Sequence, residues 1–141
     1  MNYSKRDGDI FYTNLLNTLI LFSKNKEELQ KITKPAFDPL YEMRDGLEYS
    51  FSLDCFETIF HYQFIEESLR DELVLFFIEA NNLSPDHWKW ELIETGELWS
   101  KVRAKAELLL QKMNIMSRKY IEDYTISFDE DGNLTNKGKK I

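Results

Sequence analysis

The sequence predicts a mainly α fold, a single-domain bundle of five to six helices, from three observations. Only eight of the 141 residues are Gly or Pro, so few turns are obligatory and long helices are favoured. Hydrophobic residues make up 43% of the chain, a fraction typical of a globular domain. Apolar residues recur mostly at the three- and four-residue spacing of helices. We expect one helical domain over residues 1–132 and a flexible polar tail over 133–141.

The first two helices are predicted from their caps. Asp9 is a candidate N-cap for the first helix, whose apolar residues then fall on one face. Asn25 followed by Glu28 is a capping box, which indicates a short second helix that Pro35 ends.

The next segment is predicted to begin as a helical turn and continue as a strand. Asp38 is a candidate cap with Pro39 at the first helical position, and Gly46 is a candidate end. Residues 47–53 then alternate apolar and polar, as do residues 124–128. The two runs predict a minor two-stranded β element. The alternative is an α+β domain in which this ribbon belongs to a sheet.

Residues 55–80 are predicted to be the central, buried part of the bundle. Asp54 and Glu57 form a candidate capping box in front of it, and Ser68 is a candidate point at which a second helix starts. Every residue from 73 to 78 is apolar, which is typical of a helix buried on all sides.

Two further helices are predicted after residue 84. Ser84 and Pro85 combine a cap with a proline at the first helical position, and Thr95 or Gly96 separates this helix from the last one. The last helix has a seam of apolar residues with 3-4-3-4 spacing. Its members are Trp99, Val102, Ala106, Leu109 and Met113. A homodimer through this 99–113 seam is one alternative.

The charge is unevenly distributed along the chain. The net charge is −7, yet residues 37–98 hold fifteen acidic and three basic residues, and residues 99–121 hold one acidic and six basic. An acidic middle repels phosphates, which makes nucleic-acid binding unlikely, and attracts a basic protein partner. We expect Lys101, Lys105 and Lys112 to pack beside the chain's own acids rather than to bind phosphate.

No arrangement of residues specifies an enzyme. One cysteine, Cys55, and two histidines, His61 and His87, are too few for a Cys/His zinc site, and we expect Cys55 in the core. The acidic run 129–133 lacks the glycine and glutamate spacing of a calcium loop. We therefore predict no catalytic residue, metal or cofactor. A small helical enzyme using carboxylates and a histidine is an alternative.

The expected location is the cytoplasm. A single cysteine allows no intramolecular disulfide. The apolar run 10–22 lacks a cleavage site and is too short to span a bilayer, so no membrane association is predicted.

The function predicted from charge and from the missing motifs is a non-catalytic protein-binding module. Its sharpest form is an acidic inhibitor of the immunity-protein type, which neutralises a basic toxin or nuclease. Trp88 and Trp90 lie about 200° apart on a helix, so Trp90 is a candidate exposed anchor unless both pack in the core. A homo-oligomeric structural protein is a further alternative. The candidate partner-binding residues are seven acids and this tryptophan: Glu66, Glu67, Asp71, Glu72, Trp90, Glu91, Glu94 and Glu97.

Overall fold

The chain is mainly α-helical around one hydrophobic core, which confirms the predicted fold class. The computed structural model describes residues 2–121, 124–125 and 138–139. These residues form seven α-helices, against the five to six predicted, with two 3₁₀ turns and one pair of two-residue strands. In chain order the elements are α1 (Lys5–Ser23), α2 (Lys26–Lys31), α3 (Pro39–Ser50), α4 (Leu53–His61), the turn Glu67–Leu69, α5 (Arg70–Asn81), the turn Pro85–His87, α6 (Trp90–Thr95), α7 (Glu97–Lys112), β1 (Tyr124–Thr125) and β2 (Gly138–Lys139).

The centre of the bundle is α1, so the predicted central role of residues 55–80 is wrong. α1 packs against α3, α4 and α7. Residues 55–80 fall mainly into α4 and α5, which are separated by a loop and a 3₁₀ turn. In that loop Gln63 has a φ of 60°, a left-handed conformation in which an α-helix does not continue.

Polar residues in α1 are the reason why the central position of this helix was not predicted from the sequence. Thr13, Asn17 and Thr18 interrupt the apolar pattern, yet all three are buried. Each threonine hydroxyl donates to a carbonyl one turn earlier in the helix, Thr13 to Asp9 and Thr18 to Asn14. Because the hydroxyl groups of the two threonines form hydrogen bonds within α1, these two side chains can lie in the core at little cost in free energy.

The all-apolar run in α5 is exposed on one side, contrary to the prediction that it is buried all round. Its buried residues are Leu73, Phe76 and Ala80. Val74, Leu75 and Ile78 are 39%, 50% and 48% exposed. α5 therefore lies at the surface and presents an apolar row to its surroundings.

Two predicted helix starts are confirmed. The Asn25 side chain accepts from the Glu28 amide and the Glu28 side chain accepts from the Asn25 amide, which completes the capping box of α2. The Asp38 side chain caps α3, with Pro39 as its first residue. Side-chain oxygens satisfy helix amides here as the sequence indicates.

Two other predicted caps are wrong. α1 begins four residues before Asp9, because Ser4 and Asp7 form its capping box. α4 begins at Leu53 after Ser52, so Asp54 lies inside the helix rather than at its cap.

The predicted strand over residues 47–53 is also wrong. Residues 47–50 continue α3, and residue 53 begins α4. Met43, Leu47 and Ser50 are buried at helical spacing, so α3 continues past Gly46 with its apolar edge on the core. The ribbon of 47–53 with 124–128 therefore does not form. Tyr124–Thr125 pair antiparallel with Gly138–Lys139 instead, while residues 126–128 and the rest of the predicted 133–141 tail lie outside the described residues.

α1 and α3 approach each other closely at Gly46. A methyl group added to Gly46 would lie 2.4 Å from the Thr18 hydroxyl oxygen, closer than atoms can pack. Ser50, one turn further along α3, accepts from the Asn14 amide at 2.8 Å and lies 3.3 Å from the Thr18 hydroxyl. This small polar cluster lets the two helices touch through a glycine.

Residues 114–121 pack back against α1 and α7. The Asn17 side chain both donates to and accepts from the backbone of Ile121. Lys24 donates to the Arg118 carbonyl at 2.7 Å, and the Arg118 guanidinium makes two hydrogen bonds to the Glu107 carboxylate. The segment is thus attached by polar contacts at several points along its length.

We expect the stabilising effect of Glu107 to be lost in acid. Hydrogen bonds from Arg118 lower the pKa of the Glu107 carboxyl from 4.5 to about 2. A pKa lowered by folding stabilises the protein above the unfolded value, and this stabilisation fades as the pH falls towards the folded value. Urea unfolding of the wild type and of Glu107→Gln should differ by a constant free energy above about pH 5 and converge near about pH 2. A difference that does not change with pH would contradict the assignment.

Candidate partner-binding surface

A groove lies between α3 and α5, and Pro85 of the Pro85–His87 turn is among the residues that line it. It encloses about 360 Å³, which lies within the usual size of ligand sites. We call it the aromatic groove. Its lining residues are Arg44, Leu47, Glu48, Phe51, Ser52, Phe77, Ala80, Asn81, Leu83, Pro85 and Trp88.

The groove has a firmly packed aromatic lining. The Phe51 and Phe77 rings stack with centroids 5.2 Å apart. Trp88 donates its indole N–H to the Leu83 carbonyl at 3.2 Å and meets the buried Trp99 ring edge to face, 4.8 Å away. Side chains held in this way lose little conformational freedom when a partner binds, which favours affinity.

Polar groups lie along the α3 wall. The Arg44 guanidinium lies 5.6 Å from the Trp88 ring centroid, within the range of a cation–π contact. Glu48, one turn further along α3, is exposed and forms no ion pair with any residue between 2 and 121. Ser52 and, on the opposite wall, Asn81 add hydrogen-bonding groups. An apolar surface with a few polar groups at its edge is the usual form of a protein-binding pocket.

Three further carboxylates, those of Asp38, Glu42 and Asp45, lie close together at α3 and its cap but do not line the groove. Burial raises the pKa of the Glu42 carboxyl, and the nearby Asp45 and Asp38 carboxylates raise it further. Asp45 is exposed and has no ion-pair partner in the described part of the chain. A basic group brought close to Glu42 would relieve the repulsion among these three carboxylates.

The first group of sequence-predicted site residues lies around the start of α5. Glu66 and Glu67 line a second cavity of about 460 Å³ beside Gln63. Glu67 already pairs with Arg70, and Glu72 pairs with Lys112 across to α7 at 2.6 Å. Glu66 and Asp71 are exposed and have no ion pair among the described residues. Half of this group is therefore neutralised within the chain.

The second group lies on α6 and at the start of α7. Glu91 and Glu97 are exposed, and Glu94 lies 3.8 Å from the Lys26 ammonium. Trp90 is half-buried against the core, as is Trp88, so Trp90 is not the freely exposed anchor considered above. Trp88 and Trp90 both pack against the core, which is the alternative to an exposed Trp90.

The structure does not bring the two groups together. Glu72 contacts the last residue of α7, whereas Glu97 is its first residue. A helix of 16 residues is about 22 Å long at 1.5 Å per residue, so the groups lie at opposite ends of α7. Sequence reasoning also missed the groove, because its walls come from segments about 30 residues apart. The helical spacing of Arg44 and Glu48 on α3 was the available signal.

The basic helix packs beside the acidic middle of the chain, as expected. Lys105 pairs with Glu79 at 3.1 Å, and Lys112 pairs with Glu72. Lys101 forms no ion pair within the described residues. Two of these three lysines are therefore paired with carboxylates of the same chain.

The predicted homodimer through the 99–113 seam is wrong. Trp99, Val102, Ala106 and Leu109 are buried in the chain's own core, and Met113 packs against that core. Because the seam is consumed by the fold of one chain, a second copy has no access to it.

Neither histidine lines the groove, and neither does the cysteine. His61 ends α4 and is exposed, and the Nδ1 atom of His87 accepts from the Ser84 amide. Cys55 is buried as expected, and burial raises the pKa of its thiol. Among the described residues no group of three His, Cys, Asp or Glu side chains is placed to hold a metal ion. None of the described helices is both long and apolar enough to cross a membrane.

Comparisons with known proteins add nothing to these observations: no protein-family model, no curated protein and no solved structure matches the chain.

Proposed function

We propose that this protein is a non-catalytic binding module that covers a basic protein partner, as an inhibitor of the immunity type does. The observation that carries the proposal is the aromatic groove, whose α3 wall carries the Glu48 carboxylate, with Asp45 three residues earlier on the same helix. Neither carboxylate forms an ion pair among the described residues. The groove would take an apolar side chain of the partner, and the carboxylates would meet its lysines or arginines.

Charge and packing support this assignment together. The carboxylates steer a cationic partner towards the groove, which raises the rate of association. The aromatic lining supplies apolar area in rings already held by their neighbours, so binding orders few additional side chains. The Arg44 guanidinium on the Trp88 ring adds a positive group that can select against wrong partners by repulsion.

The direct test is affinity capture on the immobilised chain from an extract of the source organism. Captured proteins should be basic. They should be retained at an ionic strength of about 0.01 M, where the Debye length is about 30 Å, and released at about 1 M, where it is about 3 Å. The free chain should then inhibit the biochemical activity of the captured partner. Retention that does not depend on salt, or a partner whose activity is unaffected, would overturn the proposal.

We expect Glu48→Lys to weaken binding of the captured partner by about tenfold or more, because it places a like charge opposite the partner's basic residues. Glu91→Lys makes the same charge change on α6, away from the groove wall, and serves as the matched control. Titration of the partner against both variants and the wild type measures the effect. Equal losses in the two variants would indicate general charge attraction and not the groove.

Filling the groove should also block binding. Asn81→Trp places a large ring at the α5 wall, whereas Asn82→Trp places the same ring on the next residue, which does not line the groove. Both positions are exposed, so both variants should fold, as circular dichroism would verify. Unchanged affinity of Asn81→Trp would exclude the groove as the binding site.

A further inference from the structure

The outer face of α5 and α7 is a second surface, distinct from the aromatic groove. The two helices lie side by side, and their register is set by the ion pairs Glu72–Lys112 and Glu79–Lys105. The residue number rises by seven from one glutamate to the other and falls by seven between their lysine partners, so α5 and α7 run antiparallel. The two ion pairs thus lie two turns apart along the same helix pair.

Exposed apolar side chains occupy the space between these ion pairs. Leu75 lies midway between the two glutamates of α5, and Leu108 lies midway between the two lysines of α7. Leu75 is 50% exposed and Leu108 is 48% exposed, and Val74 and Ile78 extend the surface along α5. We call these four residues the α5/α7 patch. Adjacent large apolar side chains on a surface, framed by charges, are typical of a protein contact.

Opposite charges stand at the two ends of the patch. Asp71 lies one turn before Leu75, and Lys101 lies one turn before Lys105 on the antiparallel helix. The register therefore places Asp71 and Lys101 at opposite ends, about 18 Å apart along the helix axes. Both are exposed, and neither has an ion-pair partner between residues 2 and 121.

We propose that the α5/α7 patch is covered by a second copy of this chain in a two-fold symmetric contact. A two-fold axis through the patch lays its apolar centre on the same centre of the second copy and exchanges the two ends. Asp71 of each copy then meets Lys101 of the other, so the surface is complementary to itself in charge and in apolar character. This inference is independent of the groove and of the partner proposed for it.

The size of the α5/α7 patch determines how tightly two copies of the chain are expected to associate. Two helices of about 20 Å length, with axes about 10 Å apart, offer a few hundred Å² per copy. This is below the roughly 800 Å² per partner of a standard interface, so the dimer is weak and forms at high protein concentration.

Sedimentation velocity over a concentration series up to about 1 mM, the range of weak interfaces, tests the contact. The wild type should shift from monomer to dimer. Leu75→Asp should remain a monomer throughout, because it puts a charge in the apolar centre. Leu53→Asp changes a side chain that is 76% exposed outside the patch and should dimerise like the wild type. A monomeric wild type at the highest concentration, or equal effects of the two variants, would overturn the proposal.

A charge exchange tests the two-fold arrangement itself. Asp71→Lys alone and Lys101→Asp alone place like charges opposite each other and should each raise the dissociation constant about tenfold. An equimolar mixture of the two variants restores both opposite-charge contacts in a heterodimer, so association should return. As a control, Asp45→Lys and Lys119→Asp make the same net charge changes outside the patch, so each variant alone and their mixture should associate like the wild type. Failure of the first mixture to associate, or a loss of association in the single control variants as large as that in the patch variants, would overturn the proposed contact.

Discussion

We expect Trp99→Ala to destabilise the protein by about 3–5 kcal/mol, the typical cost of removing a buried aromatic ring. The Trp99 ring is 1% exposed, stacks on Phe22 and meets Trp88 edge to face. Its indole N–H donates to the His87 carbonyl at 2.7 Å, which ties α7 to the turn before α6. Since a domain is stable by only about 5–15 kcal/mol, this single loss removes a large fraction of the total.

Urea unfolding followed by circular dichroism measures this effect. Trp99→Phe is expected to cost much less, because it keeps a ring while losing the hydrogen bond to His87, worth about 1 kcal/mol. Trp90→Ala is the positional control. Trp90 is only half-buried, so its loss should be the smallest of the three. If Trp99→Ala and Trp90→Ala were equally destabilising, Trp99 would not be the anchor of this part of the core.

Trp99 also supports the wall of the aromatic groove. Trp88 lines the groove and rests on Trp99, so a cavity behind it would loosen the groove wall. We therefore expect the milder Trp99→Phe variant, which stays folded, to retain most of the affinity for the captured partner. Retained affinity would show that Trp99 supports the fold of the groove wall without contacting the partner directly.

The second large effect is expected at Gly46. Gly46→Ala forces a methyl group to within 2.4 Å of the Thr18 hydroxyl oxygen, where α1 and α3 touch. Overpacking of this kind costs about 1–3 kcal/mol, while replacing a helical glycine by alanine returns about 0.5–1 kcal/mol. The net result is a loss of stability, although alanine is the better helix former.

A double-mutant cycle with Thr18 identifies the cause. Thr18→Ala removes the clashing oxygen, so Gly46→Ala should cost less in the Thr18→Ala background than in the wild type. Thr18→Val keeps a branched side chain of the same shape and should not rescue Gly46→Ala. Additive effects in the cycle with Thr18→Ala would show that the 2.4 Å approach does not limit the α1–α3 contact.

Local chemistry made several features predictable from the sequence. The capping box at Asn25 and the Asp38–Pro39 helix start involve residues within three positions of each other, so no tertiary information is needed. The α7 seam was also recognisable, because five apolar residues at 3-4-3-4 spacing require a buried face. The pairing of α7 lysines with acidic residues followed from the large charge difference between the two segments.

The candidate site was less predictable for a physical reason. Counting carboxylates cannot tell which are already paired, and Glu67, Glu72 and Glu94 are each next to a basic residue of the same chain. Glu48, which forms no ion pair among the described residues, was not singled out. Whether a charged side chain is paired depends on its neighbours in the folded structure and not on the composition of the chain.

The amino-acid sequence by itself determined that the chain is mainly helical, where several helices begin and that its charge is separated between an acidic middle and a basic α7. These features depend on spacing and on neighbours along the chain. Only the tertiary structure decided that α1 is the centre and that α5 shows an apolar side. The apolar runs in the sequence show how much surface must be buried. Which run becomes buried depends on how the helices pack, and this packing depends on close contacts such as that of Gly46 with Thr18. The helices brought together by such contacts create the groove and leave the α5/α7 patch exposed.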